Sequence, residues 1–595
     1  MEDTIHKFIK TEEARFDTEE IKVGQNWNWN FKNHTQMIFH LKNSQFFSGE
    51  NNWLRAFNNI MEPILNLSYW AEDIEVKDIV FYIENKLGRV LSFLLKKYHD
   101  EVYVKENDLD TLLDEITEDD VDYGGVLVQK GEKKPEVINL QSIAFCDQTD
   151  IMGGPIGFKF SFSPSKLRQM ASKGWGDEKN GATISIDDII TLAENSKDPS
   201  GTSGSKNRTT GKNIEVYIVK GDLPEHYLKD NDNMDDYARQ IQIVAFYTDK
   251  DNKQEGVTLY RKEEKEDSIK FHTSKKVYGR ALGRGVGEGL LHPQVWTNFL
   301  EIHKMKMLEA GSKNVLYTDD DSYSNRQSIV DMENNEITTI EDGKRIYRVP
   351  TDNPTAVQLF EQGVNKLFEN AQTIGSAFDP ILGKEAASGT TFRGQERTVQ
   401  QGRGLHDRRR GQRAKFVEEL YRWEIIPRMK KEILKGKKFM ATLTSDEMKW
   451  VSEAMVTNEV NKIMVDKILN LKAGEYIEQE EMDLLKELAR QKFAKNGNKR
   501  LLEILKDEFK DVEIKIGINV AGKQKNLALM TDKIVSIFQL IFSNPQGFQQ
   551  LMQMDGMSSA FNDILEFSGI SGVDFSNLSQ LPQNPIQMPQ LQTNA

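Results

Sequence analysis

The chain has 595 residues, of which 38% are hydrophobic and 29% charged, with a formal net charge of −14 and a single cysteine, Cys146. That length allows two to four domains with cores of their own, one cysteine excludes an intramolecular disulfide framework or a cysteine-rich zinc site, and the acidic balance argues against a conventional DNA-binding protein, whose affinity rests on Lys and Arg at phosphates. No apolar run reaches about 18 residues, and the charged start MEDTIHKFIKTEEARF carries no apolar core, so the expectation is a soluble intracellular protein without a membrane span or secretory signal.

Residues 1–49 are polar and aromatic (NWNWNF, NSQFFSGENN) without clear periodicity, and read either as an arm ordered against partners or neighbouring domains or as a frayed terminus. From Asp73 the residues Ile79, Ile83, Leu87, Val90, Leu94 and Tyr98 recur at spacings of three and four, which predicts a helix with one apolar stripe. Runs rich in β-branched and aromatic residues follow at 125–129, 137–145, 214–219, 241–247 and 257–260 and predict strands. Together they give an α+β domain over 50–285, interrupted by a Gly/Ser/Thr-rich surface loop, Ser196–Lys212.

A helix over 286–311, with Pro293 near its first turn and Gly311 at its end, comes next. A second, over 353–377, opens at Asn353-Pro354, and its Val357, Phe360, Val364, Leu367, Ala371 and Ile374 form a coiled-coil-like seam. Between them, residues 312–352 hold a strand signal at 315–317 and a hairpin of 336–340 with 345–349 around Asp342-Gly343. A loop over 378–391 leads into a basic helical stretch, 392–444. The glycines of its first half, Gly394, Gly402, Gly404 and Gly411, each cost about 1 kcal/mol relative to Ala, which points to support from outside the segment. Residues 445–570 read as mostly helical with a short strand at 512–519, and the Gln/Pro-rich end, 571–595, reads as disordered.

Catalytic signatures are absent from the sequence. There is no GxxxxGK[ST] phosphate loop and no GxSxG elbow. GRALGRGVGEG, Gly279–Gly289, has the wrong spacing for a dinucleotide fingerprint and reads as a turn ahead of a helix, while His292 and His303 stand eleven residues apart, which is not metal-ligand spacing. The run Asp319, Asp320, Asp321 could hold a divalent ion or form a solvated loop face, the latter being favoured. No cofactor, metal or enzymatic activity is expected.

The order of these elements, with the phrases VINLQSIAFCDQTD, VYIVKGDLPEHY, GVGEGLLHPQVWTNFLEIHK and SGTTFRGQERTVQQGRG, resembles the portal proteins of tailed bacteriophages, those of crAss-like gut phages among them. The resemblance covers roughly 50–570. It implies an α+β wing, a helical stem of two helices, a small β-rich clip at 312–352, a tunnel loop at 378–391 and a helical C-terminal crown. It also implies a homo-oligomeric ring, a dodecamer as in the family, at the capsid portal vertex of the virion, with the terminase motor, head–tail adaptor proteins and the major capsid protein as partners, double-stranded DNA passing through, and no membrane. On that reading Gly383, Lys384, Ser388, Gly389, Thr390 and Arg393 face DNA in the tunnel, the latter basic residues through weak, sequence-independent phosphate contacts. Val357, Phe360, Val364 and Leu367, with Arg408, Arg409 and Arg410, lie at subunit interfaces, the arginines pairing with acidic residues of a neighbouring copy. Asp319, Asp320, Asp321, Asp342 and Gly343 dock partners at the clip. Two rival readings are a viral nucleic-acid enzyme or its accessory subunit, suggested by Arg408–Arg410, and a different ring-forming connector.

Overall fold

The computed structural model describes residues 4–46, 56–83, 88–195, 213–229, 236–248, 254–312, 316–318, 346–348, 354–377, 392–433, 435, 445–470, 480, 483–491 and 514–518. Helix and antiparallel sheet are both present, so the fold is α+β. The chain forms two compact units, one of Met1–Ile74 with Thr111–Phe416, the other of Glu75–Asp110 with Val417–Ala595. The segment 75–110, placed by sequence within the 50–285 block, therefore groups with the C-terminal part.

The first unit is built on a five-stranded antiparallel meander: Ile143–Phe145, Ile156–Phe162, Ile214–Pro224, Tyr237–Thr248 and Gln254–Glu263 pair in chain order. Side chains alternate along each strand and both faces are covered. Tyr217, Val219, Val244 and Phe246 point into one core with Ile9 and Phe158, whereas Val216, Ile243, Ala245 and Leu259 point into another with Leu167, Ile189 and Ile190. Each fully buried side chain of this size contributes roughly 1.5–3 kcal/mol. A three-stranded sheet, Ile269–His272, Val126–Gln129 and Glu136–Ile138, lies in the same unit. The expected strand 137–145 is thus two short strands in different sheets, separated by a 3₁₀ turn at Leu140–Ser142 whose N-cap Asn139 accepts from Gln141 N.

Residues 5–42 are not an appended arm. They form the helices Ile5–Thr18 and Phe31–Lys42 and a ribbon, Ile21–Val23 with Trp27–Trp29, and Ile9, Trp29, Phe31 and Ile38 are buried in the unit's core. Asn30, in NWNWNF, ties the turn between them: its Oδ1 accepts from Asn33 N at 2.8 Å as an N-cap, and its Nδ2 donates to Phe16 O and Glu19 O at 3.0 and 2.8 Å.

In the second unit the predicted helix from Asp73 begins only at Gly88. Ile79–Ile83 is a strand paired antiparallel with Ile514–Ile518, Ile79 opposite Ile518. Its sequence, IVFYI, is β-branched and aromatic, and a period of four among isoleucines does not separate a buried strand from a helix. Helix Gly88–Tyr98 packs with the helices Ile426–Ile433 and Ser445–Asn470 through Tyr98 Oη donating to Glu432 Oε2 at 2.7 Å and Phe93 edge-on to Trp450. Two π-helical turns, His99–Tyr103 and Tyr421–Ile425, meet here: Tyr421 Oη donates to His99 Nε2 at 2.8 Å while His99 Nδ1 bonds Asp100 at 2.7 Å.

Burial holds the His99 imidazolium pKa below its ordinary value, against the opposing pull of Asp100. The unfolded chain therefore binds this proton first, so the stabilisation is full above about pH 6.5 and is lost as pH falls below it, by up to about 1.4 kcal/mol per pH unit for one group. Thermal unfolding of wild type and His99→Gln should differ at pH 7.5 and converge toward pH 5; a constant difference would mean that His99 does not titrate on unfolding.

Candidate functional site

The segment that sequence reading singled out, GRALGRGVGEG, is the footing of the long outgoing helix Val286–Ser312. Its glycines serve backbone approach: a Cβ at Gly283, Gly285 or Gly287 would fall 2.5–2.6 Å from the carbonyl oxygens of Gly124 or Asp122. Arg280 is buried beneath this turn, donating to Leu282 O at 3.0 Å, Gly283 O at 2.8 Å and both carboxylate oxygens of Glu288 at 3.2 and 2.5 Å. Burial pushes the Glu288 carboxyl up, but the His34 imidazole 3.6 Å away and the bonds and charge of Arg280 outweigh this and hold it at about 2. Gln148, from CDQTD, joins three remote segments: its Oε1 accepts from Phe31 N at 3.0 Å, its Nε2 donates to Glu19 O at 2.9 Å, and its backbone carbonyl accepts from Ala281 N at 2.8 Å. NWNWNF, CDQTD and GRALGRG thus meet at one structural joint.

The outgoing helix starts seven residues before Pro293, which sits inside it rather than in its first turn. Its polar residues face inward. Gln294, Thr297 and Asn298 are buried. Gln294 Oε1 accepts from Ile60 N and Met61 N at 2.8 and 3.1 Å, capping the helix Met61–Glu72, whose own N-cap residue, Ile60, has no polar side chain; Asn298 Oδ1 accepts from Asn58 N at 3.1 Å. The outer face of its first half is apolar instead: Val295 and Phe299 are each about half exposed and Trp296 is 46% exposed. His292, Trp296, Phe299 and His303, at spacings of four, three and four, form a ladder of rings, with Trp296 Nε1 donating to His292 Nε2 at 3.0 Å and ring centroids 5.4 Å apart for Trp296–Phe299 and 4.3 Å for Phe299–His303.

The return helix, Pro354–Gly375, packs antiparallel on the outgoing one: a Cβ at Gly363 would lie 3.1 Å from Leu300 and one at Gly289 2.7 Å from Ile374. The predicted seam, Val357, Phe360, Val364 and Leu367, is half-buried along this hairpin, while Leu359 is 63% exposed. Leu316–Thr318 and Ile346–Arg348, beyond the two helices, pair antiparallel with each other. The sequence expectation gave 345–349 a different partner, 336–340, which lies outside the described residues, as do Asp319, Asp320, Asp321, Asp342 and Gly343.

The basic helix Phe392–Leu420 carries a buried ion cluster on one face. Arg413 donates through Nε and Nη2 to Asp120 Oδ2 at 3.0 and 2.8 Å, and reaches Glu72 Oε2 and the Glu72 carbonyl at 3.1 and 2.8 Å. Arg409 donates to Glu72 Oε1 at 3.2 Å, and His406 bonds the same oxygen at 2.8 Å, its other nitrogen lying 3.4 Å from Ser376 O. Burial pushes the Glu72 carboxyl up, yet the His406 bond and the Arg413 and Arg409 charges hold it below the usual range. Arg409 is therefore engaged within its own chain, and Arg410 is buried in it, which differs from the expected pairing across copies; Arg408 is exposed. Gly383, Lys384, Ser388, Gly389 and Thr390 lie outside the described residues, and Arg393 is in the basic helix with its side chain undescribed. Among the described residues no helix is long and apolar enough to cross a membrane, and no cluster of three His, Cys, Asp or Glu side chains could hold a metal.

The sequence reading missed the inverted polarity of the outgoing helix, although Gln294, Thr297 and Asn298 at spacings of three and one carried the signal. It also missed the partners of Arg413, since Glu72 and Asp120 are about 300 residues away. Comparison with family models and with curated proteins gives no match.

Proposed function

We propose that this chain is the subunit of a ring-forming portal of a tailed phage, a structural conduit for DNA at one capsid vertex rather than an enzyme. The observation that carries the reading is the helical hairpin with polar residues turned to its own unit and an aromatic ladder turned outward. An apolar stripe of this kind, repeated in every copy, suits a head-to-tail contact that closes by rotation into a ring. The footing at Gly279–Gly289 and the buried cluster around Arg413 fit a subunit that must keep two helices in fixed register under load. The finer assignments follow from the same reading. The hairpin is the stem, the residues beyond it the clip that meets the terminase motor and then the adaptors, the segment 378–391 the tunnel loop, and the assembly a dodecamer seated in the major capsid protein with double-stranded DNA passing through.

An affinity-tagged chain built into particles and labelled with gold should mark one vertex on each particle. Label spread over all vertices, or absent from particles that contain the chain's phage genome, would reject the portal reading.

A further inference from the structure

We infer that the loop 275–284 and the ribbon Ile21–Trp29 form a docking platform for single-stranded nucleic acid. Two aromatic rings stand out of the surface there: Tyr278 is 85% exposed and Trp27 is 43% exposed. They flank one residue, Arg280. Its guanidinium lies 5.0 Å from the Trp27 ring and 5.3 Å from that of Trp29, and Tyr278 precedes it by two positions. Gly279, at φ +90°, makes the turn that brings this loop onto the ribbon, where a Cβ would lie 3.9 Å from Val23 Cα. The loop closes on itself through Arg284 N donating to Lys275 O at 2.9 Å, so Lys275 and Arg284 emerge side by side.

Lys275, Lys276 and Arg284, with Lys22 on the ribbon, are exposed, and none forms an ion pair among the described residues. Arg280 is different, since its charge is matched by Glu288. Lys22, opposite Asn28, lies on the other face of the ribbon from Trp27, and the three unmatched cations of the loop beside two presented rings are unusual on a chain of net charge −14. The pattern has the two parts that a single-strand site needs, cations to follow phosphates and π-faces on which unpaired bases stack without sequence preference. A duplex offers phosphates but no free base faces, so the exposed rings favour the single strand over it.

The test is fluorescence anisotropy of a labelled 20-nucleotide oligo-dT with the full chain, in wild type, Tyr278→Ala and Lys275→Glu/Lys276→Glu. Tyr278→Ala should weaken binding about tenfold at fixed salt. The double charge reversal should weaken it further and lower the slope of log affinity against log salt by about 1.4, two phosphate contacts at about 0.7 each. All three positions are exposed, so thermal midpoints should match wild type. No oligo-dT binding, or binding that both variants leave unchanged, would overturn the platform. Equal competition by polyglutamate with no effect of Tyr278→Ala would overturn it in favour of an acidic protein partner.

Discussion

Replacing Arg413 by alanine should lower the unfolding free energy of the first unit by about 3–5 kcal/mol. Arg413, Glu72, Asp120 and His406 are all nearly or completely shielded from water. Removing the guanidinium leaves two carboxylates with no counter-charge of equal reach, and the Glu72 carbonyl and Asp120 Oδ2 lose donors at 2.8 Å. Breaking a buried pair from one side costs far more than the pair's net contribution, because the desolvated partner remains. Ser274 Oγ, 2.5 Å from Asp120 Oδ2, and Arg409 on Glu72 offset only part of this. Arg413→Lys should recover little, since an ammonium cannot span two carboxylates and a carbonyl as the fork does. Urea unfolding measures the loss; under about 1 kcal/mol would mean that water reaches the cluster.

The second large effect concerns association. Aspartate at both Trp296 and Phe299 should leave the subunit folded and remove its assembly, because the two side chains face outward and touch each other and the flanking histidines. In a closed contact the same change would bury two unpaired carboxylates, a penalty of several kcal/mol per interface. Aspartate at Phe360 and Leu367 acts differently. These residues are half-buried on the return helix, which packs on the outgoing one, so that pair should open the hairpin and lose helix content along with any assembly. Circular dichroism and light scattering on both double variants separate the two faces. A Trp296/Phe299 variant that assembles as wild type does would remove the ladder from the interface.

Local chemistry made much of this legible. Four of the five strands of the meander were readable where β-branched residues cluster, and the return helix opens at Pro354 and closes at Gly375 as its proline and glycine signals indicate. Strand Ile156–Phe162 went unread although Gly153-Gly154-Pro155 before it, Ser163-Pro164 after it and alternating phenylalanines mark it. Ile79–Ile83 could not be told from a helix, because its strand partner lies 435 positions on, as Ile79 opposite Ile518 to Ile83 opposite Ile514 bracket it. For the site, the basic helix announced that something must neutralise it, and sequence alone could not choose between a neighbouring copy and the chain's own Glu72 and Asp120. The outgoing helix was read from Pro293 and Gly311, signals that place its ends and not its faces. Its buried amides decide the inner face, because Gln294 and Asn298 satisfy backbone groups at 58–61 that would otherwise be stranded.

Electron microscopy of the purified full-length chain tests the ring most directly. The proposal predicts closed rings of uniform copy number, twelve by the family resemblance, with a central channel lined at its waist by the paired helices Val286–Ser312 and Pro354–Gly375. Monomers at micromolar concentration, or assemblies in which the Trp296–Phe299 ladder faces solvent, would contradict it.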